Sequence, residues 1–514
     1  MADYQSYLIL FLTGALTSIF IIFRLSRPKS HLPPTPFAFP IIGHLHLLSP
    51  TPHRAFHNLS LQYGPIFRLF LGSMPCVVAT SSQTAKELFK TYDDVFLDRP
   101  HNSSMDYISY GGKGFIFAPY GSYWKFLKKT VMSELLNGKT LDSLLPVRHD
   151  ETNRFIECLS QKAKVGESVE LKRELMKVTN NVISRMVMSK RCSDDQEGDA
   201  VDIRKIVIDI AKVMGTFNLS DNVWLCKNLD LQGNGKKCEA IRARFDGLIE
   251  KIMREHEEAR ELNEESGQVK DLLSILIDIS EDENMEMKLT KENIKAFILD
   301  IFGGGTETSA VTIEWALSEL INHPNILKKA VEEIDQIVGK SRLLQESDVP
   351  NLPYLQAIVK ESLRLHPSAP VIQRLSTQDC TVGGYHIPAK TTVFFSIWSV
   401  GRDPTHWENP LEFRPERFIE KHLDVRGQHF HFLPFGSGRR MCPGVSLGLM
   451  VIHVTLGSMI QCFDWMARKD GDLTSLDMEE GVGITMPRAN PLVCVPVARL
   501  DPIPFSTATT KSGL

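Results

Sequence analysis

The sequence predicts a mainly α-helical body with a minor β portion, preceded by an N-terminal transmembrane helix. Three observations carry this. Apolar side chains recur at helical spacing over most of residues 120–370. Strand-like runs are short and confined to 66–71, 76–79, 380–400 and the C-terminus. An uncharged apolar run, 7–23, comes just before Arg24, Arg27 and Lys29.

The apolar run spans roughly 25 Å as a helix, near the hydrocarbon thickness of an endoplasmic reticulum bilayer. Its basic flank lies on the C-terminal side and no small-residue cleavage site follows, which disfavours a cleaved secretory signal. The expectation is a single-pass anchor over residues 1–30 in the endoplasmic reticulum membrane. The positive residues, and so the body, then face the cytosol. Prolines 33, 34, 36 and 40 follow and predict a stiff extended arm over 31–45. The remainder, 46–514, is expected to be one domain.

The chain has 514 residues, 43% hydrophobic and 23% charged, with a formal net charge of −4. That allows a large core and argues against nucleic acid as a partner. Nine cysteines lie scattered without any CxxC pair, as expected of reduced thiols. Along the body, 66–71 and 76–79 predict a hairpin around Gly72 and Ser73, and 84–90 a short helix. Helices are predicted at 180–187 and 241–257, with a solvated loop at 258–270. Further helices are predicted at 294–322, 352–359 and 445–461, and irregular chain at 401–441.

The most informative stretch is 435–444, Phe-Gly-Ser-Gly-Arg-Arg-Met-Cys-Pro-Gly. Its glycines, Gly438 and Gly444 among them, allow close backbone approaches. Pro443 marks a helix start, so Cys442 is presented near a helix N-terminus, where exposed N–H groups favour a thiolate, the metal-binding form. Arg440 is suited to pair with a carboxylate on a cofactor rim, and Phe435 to shield the sulfur. A lone cysteine in a glycine-rich turn would read as an inert core thiol.

Within 294–322, Gly303, Gly304 and Gly305 cost about 2–3 kcal/mol of helix propensity relative to alanine. Side-chain-free backbone lets a flat ligand approach and permits a local bulge. Glu307 and Thr308 next to it supply an acid and a hydroxyl, the minimum for passing protons inward. The same residues fit a kinked core helix with a solvated glutamate. Glu361 and Arg364 stand at i and i+3 on one helix face, which alone is an ordinary ion pair worth roughly 0–1 kcal/mol.

Together these stretches resemble the heme-thiolate monooxygenases, the cytochrome P-450 family, over nearly the whole chain. Residues 435–444 match the FxxGxRxCxG signature, and 304–309 resemble the (A/G)Gx(D/E)T(T/S) motif with glutamate for the commoner aspartate. The resemblance implies that fold, a heme b whose iron is bound by Cys442, and roles in oxygen activation for Thr308 and in proton relay for Glu307. It implies a structural triad of Glu361, Arg364 and Arg417, and propionate contacts from Arg440, Trp124, Lys128 and Arg374. Lys128 stands where the family's WxxxR pattern has arginine. The implied pocket includes Phe297, Ile301, Gly304, Val371, Ile372 and Ile484.

Electrons are expected from NADPH through a reductase partner, with O2 as co-substrate, membrane lipid around the anchor and an apolar small molecule as substrate. The sequence looks most like plant microsomal members acting on flavonoids, pterocarpans and triterpenoids. Residues 301–310 differ from flavone- and isoflavone-forming members, which usually carry Asp and Ser here, so a bulky triterpenoid, hydroxylated once or oxidised in successive steps to a carboxylic acid, is the leading expectation. A flavonoid or isoflavonoid hydroxylase is the alternative. A reductase-independent heme-thiolate isomerase or dehydratase is the rival chemistry.

Overall fold

The computed structural model describes residues 31–48, 51–192, 201–227, 229–261, 270–285, 287–466 and 476–505, together with Tyr7, Phe11 and Gly14. The predicted anchor therefore lies outside the described residues, apart from those three, which are helical and exposed. Among the described residues one helix, Val445–Cys462, is long and apolar enough to cross a bilayer. It is 78% buried, as a core helix that is apolar all round should be.

The principal helices are α1 (Ser122–Thr130), α2 (Leu145–Val165), α3 (Leu171–Met188), α4 (Val201–Gly215), α5 (Asn234–Glu261), α6 (Lys291–Gly305), α7 (Glu307–Asn322), α8 (Pro324–Ile337), α9 (Pro353–Leu365) and α10 (Val445–Cys462). The strands are β1 (Ile66–Leu71), β2 (Met74–Ala79), β3 (Val169–Glu170), β4 (Val371–Leu375), β5 (Cys380–Val382), β6 (Tyr385–Ile387), β7 (Thr392–Ser396), β8 (Phe463–Met466) and β9 (Val493–Ala498).

Helix α7 is the hub. It is buried along almost its whole length and packs against α3, α9 and α10. One core gathers α2, α3, α7, α8, α9 and α10 around residues such as Leu175, Leu317, Leu355 and Ile460. A second gathers α1, α3, α4, α5 and α6 around Phe245, Phe297 and Phe302. The first core takes in α7 and the second α6, so each of the two helices is buried in its own core.

The predicted hairpin is present as β1 and β2, paired antiparallel with Ile66 opposite Ala79. These strands join β7 and β4 in a four-stranded sheet ordered β1-β2-β7-β4, in which β2 and β7 run parallel. Strand β4 was not legible as a strand, because its five residues alternate only weakly. The 380–400 region divides into β5, β6 and β7, and then a short helix, Ile397–Val400.

Two expectations need correction. The short helix at 84–90 is α-helical over Ser82–Lys86 and continues as a π-helical turn over Glu87–Thr91. The loop set at 258–270 begins later, because α5 runs to Glu261; residues 262–269 lie outside the described set. The arm is fastened to the body by hydrogen bonds. Pro34 carbonyl accepts the Arg68 N–H at 2.7 Å, and His44 bridges Pro36 carbonyl and the Phe70 N–H, at 3.0 and 2.8 Å. The arm thus lies along the sheet edge, supplying partners that an edge strand otherwise lacks.

Candidate active site

The helix predicted over 294–322 is broken. α6 ends at Gly305, Thr306 takes φ −87° and ψ −64°, and α7 begins at Glu307. At the break the Thr308 hydroxyl donates to Gly304 carbonyl at 2.7 Å, and Thr179 Oγ1 donates to Thr306 carbonyl at 2.8 Å. Side-chain hydroxyls thus take up carbonyls at the interruption, a recognised way to bend a helix. A Cβ on Gly304 would meet no atom within 4 Å; it would stand in open space.

That space is a cavity of about 400 Å³. Gly304, Gly305 and Thr308 line it from the helix break, and Phe435, Arg440, Cys442 and Gly444 from the loop before α10. Ile301, Val371, Ile372 and Ile484 also line it, as the sequence predicted. Phe297 does not: it is 1% exposed and belongs to the second core, which covers α6 one turn before Ile301.

The 435–444 loop is built to hold a sulfur in place. The Cys442 N–H donates to Phe435 carbonyl at 3.0 Å, closing the loop on itself. Gly438 sits at φ +74°, and a Cβ there would lie 2.5 Å from Asp93 Oδ1 and 2.9 Å from Phe89 carbonyl, so no other residue fits. Gly438 is therefore a turn residue rather than a wall of the cavity. Gly444 is the N-cap of α10 and provides no capping side chain.

Of the nine free cysteines, Cys442 alone is exposed, and its exposure is to the cavity. Burial nonetheless raises its thiol pKa, with the Gly444 N–H acting in the opposite sense.

The cavity also carries unusual positive charge. Arg99, Arg374 and Arg440 all line it. Arg374 is 3% exposed, and burial, then Arg99 and Arg440, push its pKa well down. The Nε atoms of Arg99 and Arg440 are buried without a hydrogen-bond partner. Such crowding calls for an anion with more than one carboxylate. Arg99 escaped sequence reasoning, since a single arginine before Pro100 carries no signal of its own. Trp124 lines the cavity too, but its N–H is used by Phe115 carbonyl at 3.2 Å, and its ring lies under the Arg440 guanidinium, 4.6 Å away.

Lys128 is not a lining residue. Its ammonium donates to Arg439 carbonyl, so it braces the loop instead of facing the cavity. Glu307 is likewise off the cavity wall: it accepts from Lys172 Nζ at 2.8 Å and Thr485 Oγ1 at 2.9 Å.

Asp300, also missed, lines the cavity and accepts the Ile116 N–H at 2.6 Å. Burial pushes its carboxyl up to about 7, against the lowering effect of the Ile116 and Phe115 N–H groups and Arg99. A lone acid in the apolar run 296–302 was the available signal.

Beneath the loop, Glu361 is fully buried and accepts from Arg364 Nε and Nη2 at 2.7 and 2.8 Å and from Arg417 Nε at 3.0 Å. The two arginines also donate to the carbonyls of Gly401, Glu408, Asn409, Pro410 and Glu412. The triad therefore fixes an irregular segment that has no ladder of its own.

A family model for cytochrome P450 matches residues 33–495. The chain belongs to the cytochrome P450 family. It is 55% identical to Cytochrome P450 93A3 of Glycine max, over 93% of this chain and 95% of that one. It is 52% identical to 3,9-dihydroxypterocarpan 6A-monooxygenase of Glycine max, covering 97% and 99%, and 43% identical to beta-amyrin 24-hydroxylase of the same plant, covering 98% and 99%. Among solved structures, a zebra fish cytochrome P450 with progesterone superposes with a TM-score of 0.75 at 27% identity, covering 87% of this chain and 99% of that chain.

This cytochrome P450 is accordingly a heme-thiolate monooxygenase, an oxidoreductase that uses heme iron and electrons from NADPH through a reductase. The residues present fit the cofactor. Among the described residues no group of three or more His, Cys, Asp or Glu is placed to hold a metal. The unpartnered Arg99 and Arg440 Nε atoms suit the cofactor's carboxylates.

Proposed function

We propose that Cys442 is the axial ligand of the heme iron, that Arg99, Arg374 and Arg440 hold the propionates, and that Thr308 works at the face where dioxygen is activated. The observation that carries this reading is the sharing of one cavity by that sulfur, that hydroxyl and three guanidiniums. Bound heme supplies oxygen activation and insertion into a C–H bond. The chain supplies the rest. Arginines neutralise the propionates, the Glu361 triad keeps the loop rigid, and Ile301, Val371, Ile372 and Ile484 exclude water and orient an apolar substrate.

The substrate reading is a polycyclic plant phenolic of the pterocarpan or isoflavonoid type, hydroxylated at an aliphatic or ring carbon. Greater identity to the pterocarpan monooxygenase than to the beta-amyrin hydroxylase supports it over the triterpenoid reading. Microsomes containing the enzyme and a plant reductase, supplied with NADPH, are to be given 3,9-dihydroxypterocarpan, flavanones and β-amyrin in parallel. The reading expects a hydroxylated phenolic; product from β-amyrin alone would reinstate the triterpenoid, and product without NADPH would favour an isomerase or dehydratase.

The proposed organisation is an anchor over 1–30, an arm over 31–45 and a catalytic domain over 46–514, with the body on the cytosolic side of the endoplasmic reticulum membrane. Exposed apolar side chains support a lipid contact: Phe37, Phe39 and Ile41 on the arm, and Trp224, Leu225 and Leu231 beyond α4. The β1–β2 turn touches both regions, since the Gly72 N–H donates to Ile42 carbonyl and the Ser73 N–H to Asn222 carbonyl. Protein lacking residues 1–30 should still float with liposomes, and Trp224→Ser with Leu231→Ser should weaken that flotation.

A further inference from the structure

Four apolar residues on the cavity wall, Val371, Ile372, Ile397 and Ile484, come from three separate segments. None of these segments is long. β4 has five residues, the helix Ile397–Val400 has four, and Ile484 lies in irregular chain before β9. Their spacing must be fixed from outside, and Glu480 is placed to fix it.

The Glu480 side chain is 2% exposed, and polar groups from three segments converge on it. Its Oε2 accepts from His53 Nε2 at 2.8 Å and from Arg54 Nε. Its Oε1 accepts the Trp398 indole N–H at 2.7 Å, with Arg402 Nη2 3.9 Å away. The Arg402 guanidinium lies 3.8 Å from the centre of the Trp398 ring, and the His53 ring 5.6 Å from it. Charge-assisted hydrogen bonds from both sides hold the buried carboxylate in one orientation. Glu480, His53, Trp398 and Arg402 all stand behind the cavity wall, not on it.

The carboxylate reaches each part of the wall by a short path. Trp398 follows Ile397, and its N–H donates to Pro370 carbonyl at 3.2 Å, next to Val371 and Ile372. Glu480 also pairs with Arg488 across the base of a loop. There the Gly481 N–H donates to Pro487 carbonyl at 2.7 Å and the Ala489 N–H to Glu479 carbonyl at 2.8 Å. Ile484 is at the tip of that loop. The Met486 N–H donates to Ser368 carbonyl at 2.9 Å, and a Cβ on Gly215 would lie 2.3 Å from Gly483, so the tip has no room to shift toward α4. A loop pinned at base and tip passes a displacement of Glu480 on to Ile484. On the other side, His53 and Arg54 belong to the first turn of the helix Pro52–Tyr63, which packs on Ile397–Val400 and sets the His57 ring edge-on to Trp398 at 5.2 Å.

We propose that Glu480 is a positioning residue for the substrate, setting the distances among Ile397, the Val371–Ile372 pair and Ile484, and that His53 extends this seat to the helix Pro52–Tyr63. The proposal rests on the reading that heme binds at Cys442 and that the apolar substrate lies against these side chains. Glu480 touches neither group. It acts on which ligands fit between the walls, and leaves the iron and its supply of electrons alone.

Ligand binding to the resting holoenzyme, read from the heme spectrum, separates positioning from stability. Imidazole needs only the space at the iron. 4-Phenylimidazole adds a ring that must fit between the walls. Trp398→Phe keeps an aromatic ring and removes the N–H; His53→Leu removes a donor from the other carboxylate oxygen. Each is expected to weaken 4-phenylimidazole by about 10-fold, the scale of one charge-assisted hydrogen bond, and to leave imidazole unchanged. His53→Gln can still donate and should keep the wild-type ratio of the two affinities. If Trp398→Phe does not retain heme, His53→Leu carries the test. Ile372→Ala and Ile484→Ala separate the layers: wild-type ratios in both overturn the underlying reading that ligands meet these walls. An altered ratio in those two, with wild-type ratios in Trp398→Phe and His53→Leu, overturns this proposal alone. An equal loss of both ligands in Trp398→Phe and His53→Leu overturns it too, because Glu480 would then serve stability only.

Discussion

Replacing Glu361 by alanine removes the acceptor for three guanidinium N–H groups and for the Arg414 backbone N–H, at 2.7 to 3.0 Å. Arg364 and Arg417 are 1% and 2% exposed, so both positive charges remain buried without their counter-charge. Removing one partner of a buried pair costs about 3–5 kcal/mol. The carbonyls at 401–412 still hold both arginines, which keeps the cost in that range rather than doubling it. Unfolding 514 residues near their melting point carries roughly 1.1 kcal/mol of entropy per degree, so the melting temperature should fall by about 3–5 °C. Glu361→Gln keeps an acceptor oxygen and should lose about half as much. The assay is thermal unfolding of the detergent-solubilised enzyme, with heme absorbance followed in parallel. Since the arginines fix the 401–412 segment, heme loss should precede global melting in the alanine variant. A melting point within about 1 °C of wild type would refute the view that this carboxylate carries two buried charges.

Four further outcomes follow from the same geometry. Burial holds the Asp300 carboxyl at about 7 against an ordinary 3.8, so the folded chain binds the extra proton between those values and stability falls as pH rises through that window. The fall amounts to about 4 kcal/mol, and Asp300→Asn should abolish it in pH-dependent melting. Burial raises the Glu480 pKa, but His53, Arg54 and Trp398 outweigh it and hold the group at about 2, so its stabilisation is present above 4.5 and lost as pH falls toward 2. Glu480→Gln should flatten that acid limb, by about 3 kcal/mol. Gly304→Ala puts a methyl into open cavity, so heme content or substrate affinity should drop with little change in melting temperature. Arg99→Leu with Arg440→Leu should release heme on dilution, read as loss of Soret absorbance, whereas Lys128→Leu should not.

What was legible in the sequence was local. The Cys442 loop, the glycine interruption before Thr308 and the Glu361–Arg364 spacing each lie within ten residues, so one segment carries the whole signal. What was illegible was assembled by the fold. Arg99 lies far from Arg374 and Arg440 in the chain and means little until it lines one cavity with them. Lys172 and Glu307 are 135 residues apart, and nothing in either neighbourhood announces the pair. Phe297 and Lys128 follow from the family resemblance alone, yet the second core covers one and a backbone carbonyl satisfies the other. The helix over 294–322 was read as continuous, although its three glycines had already allowed a bulge; the structure breaks it at Thr306.

The most direct measurement is the absorbance spectrum of Cys442→Ser under reduced carbon monoxide, beside wild type. A serine oxygen keeps the shape of the loop and removes the sulfur. The account predicts that the red-shifted Soret band of thiolate-bound heme disappears, with NADPH-driven turnover, while the melting curve of the polypeptide stays close to wild type. A variant that keeps that band and forms product would show that the iron is held elsewhere.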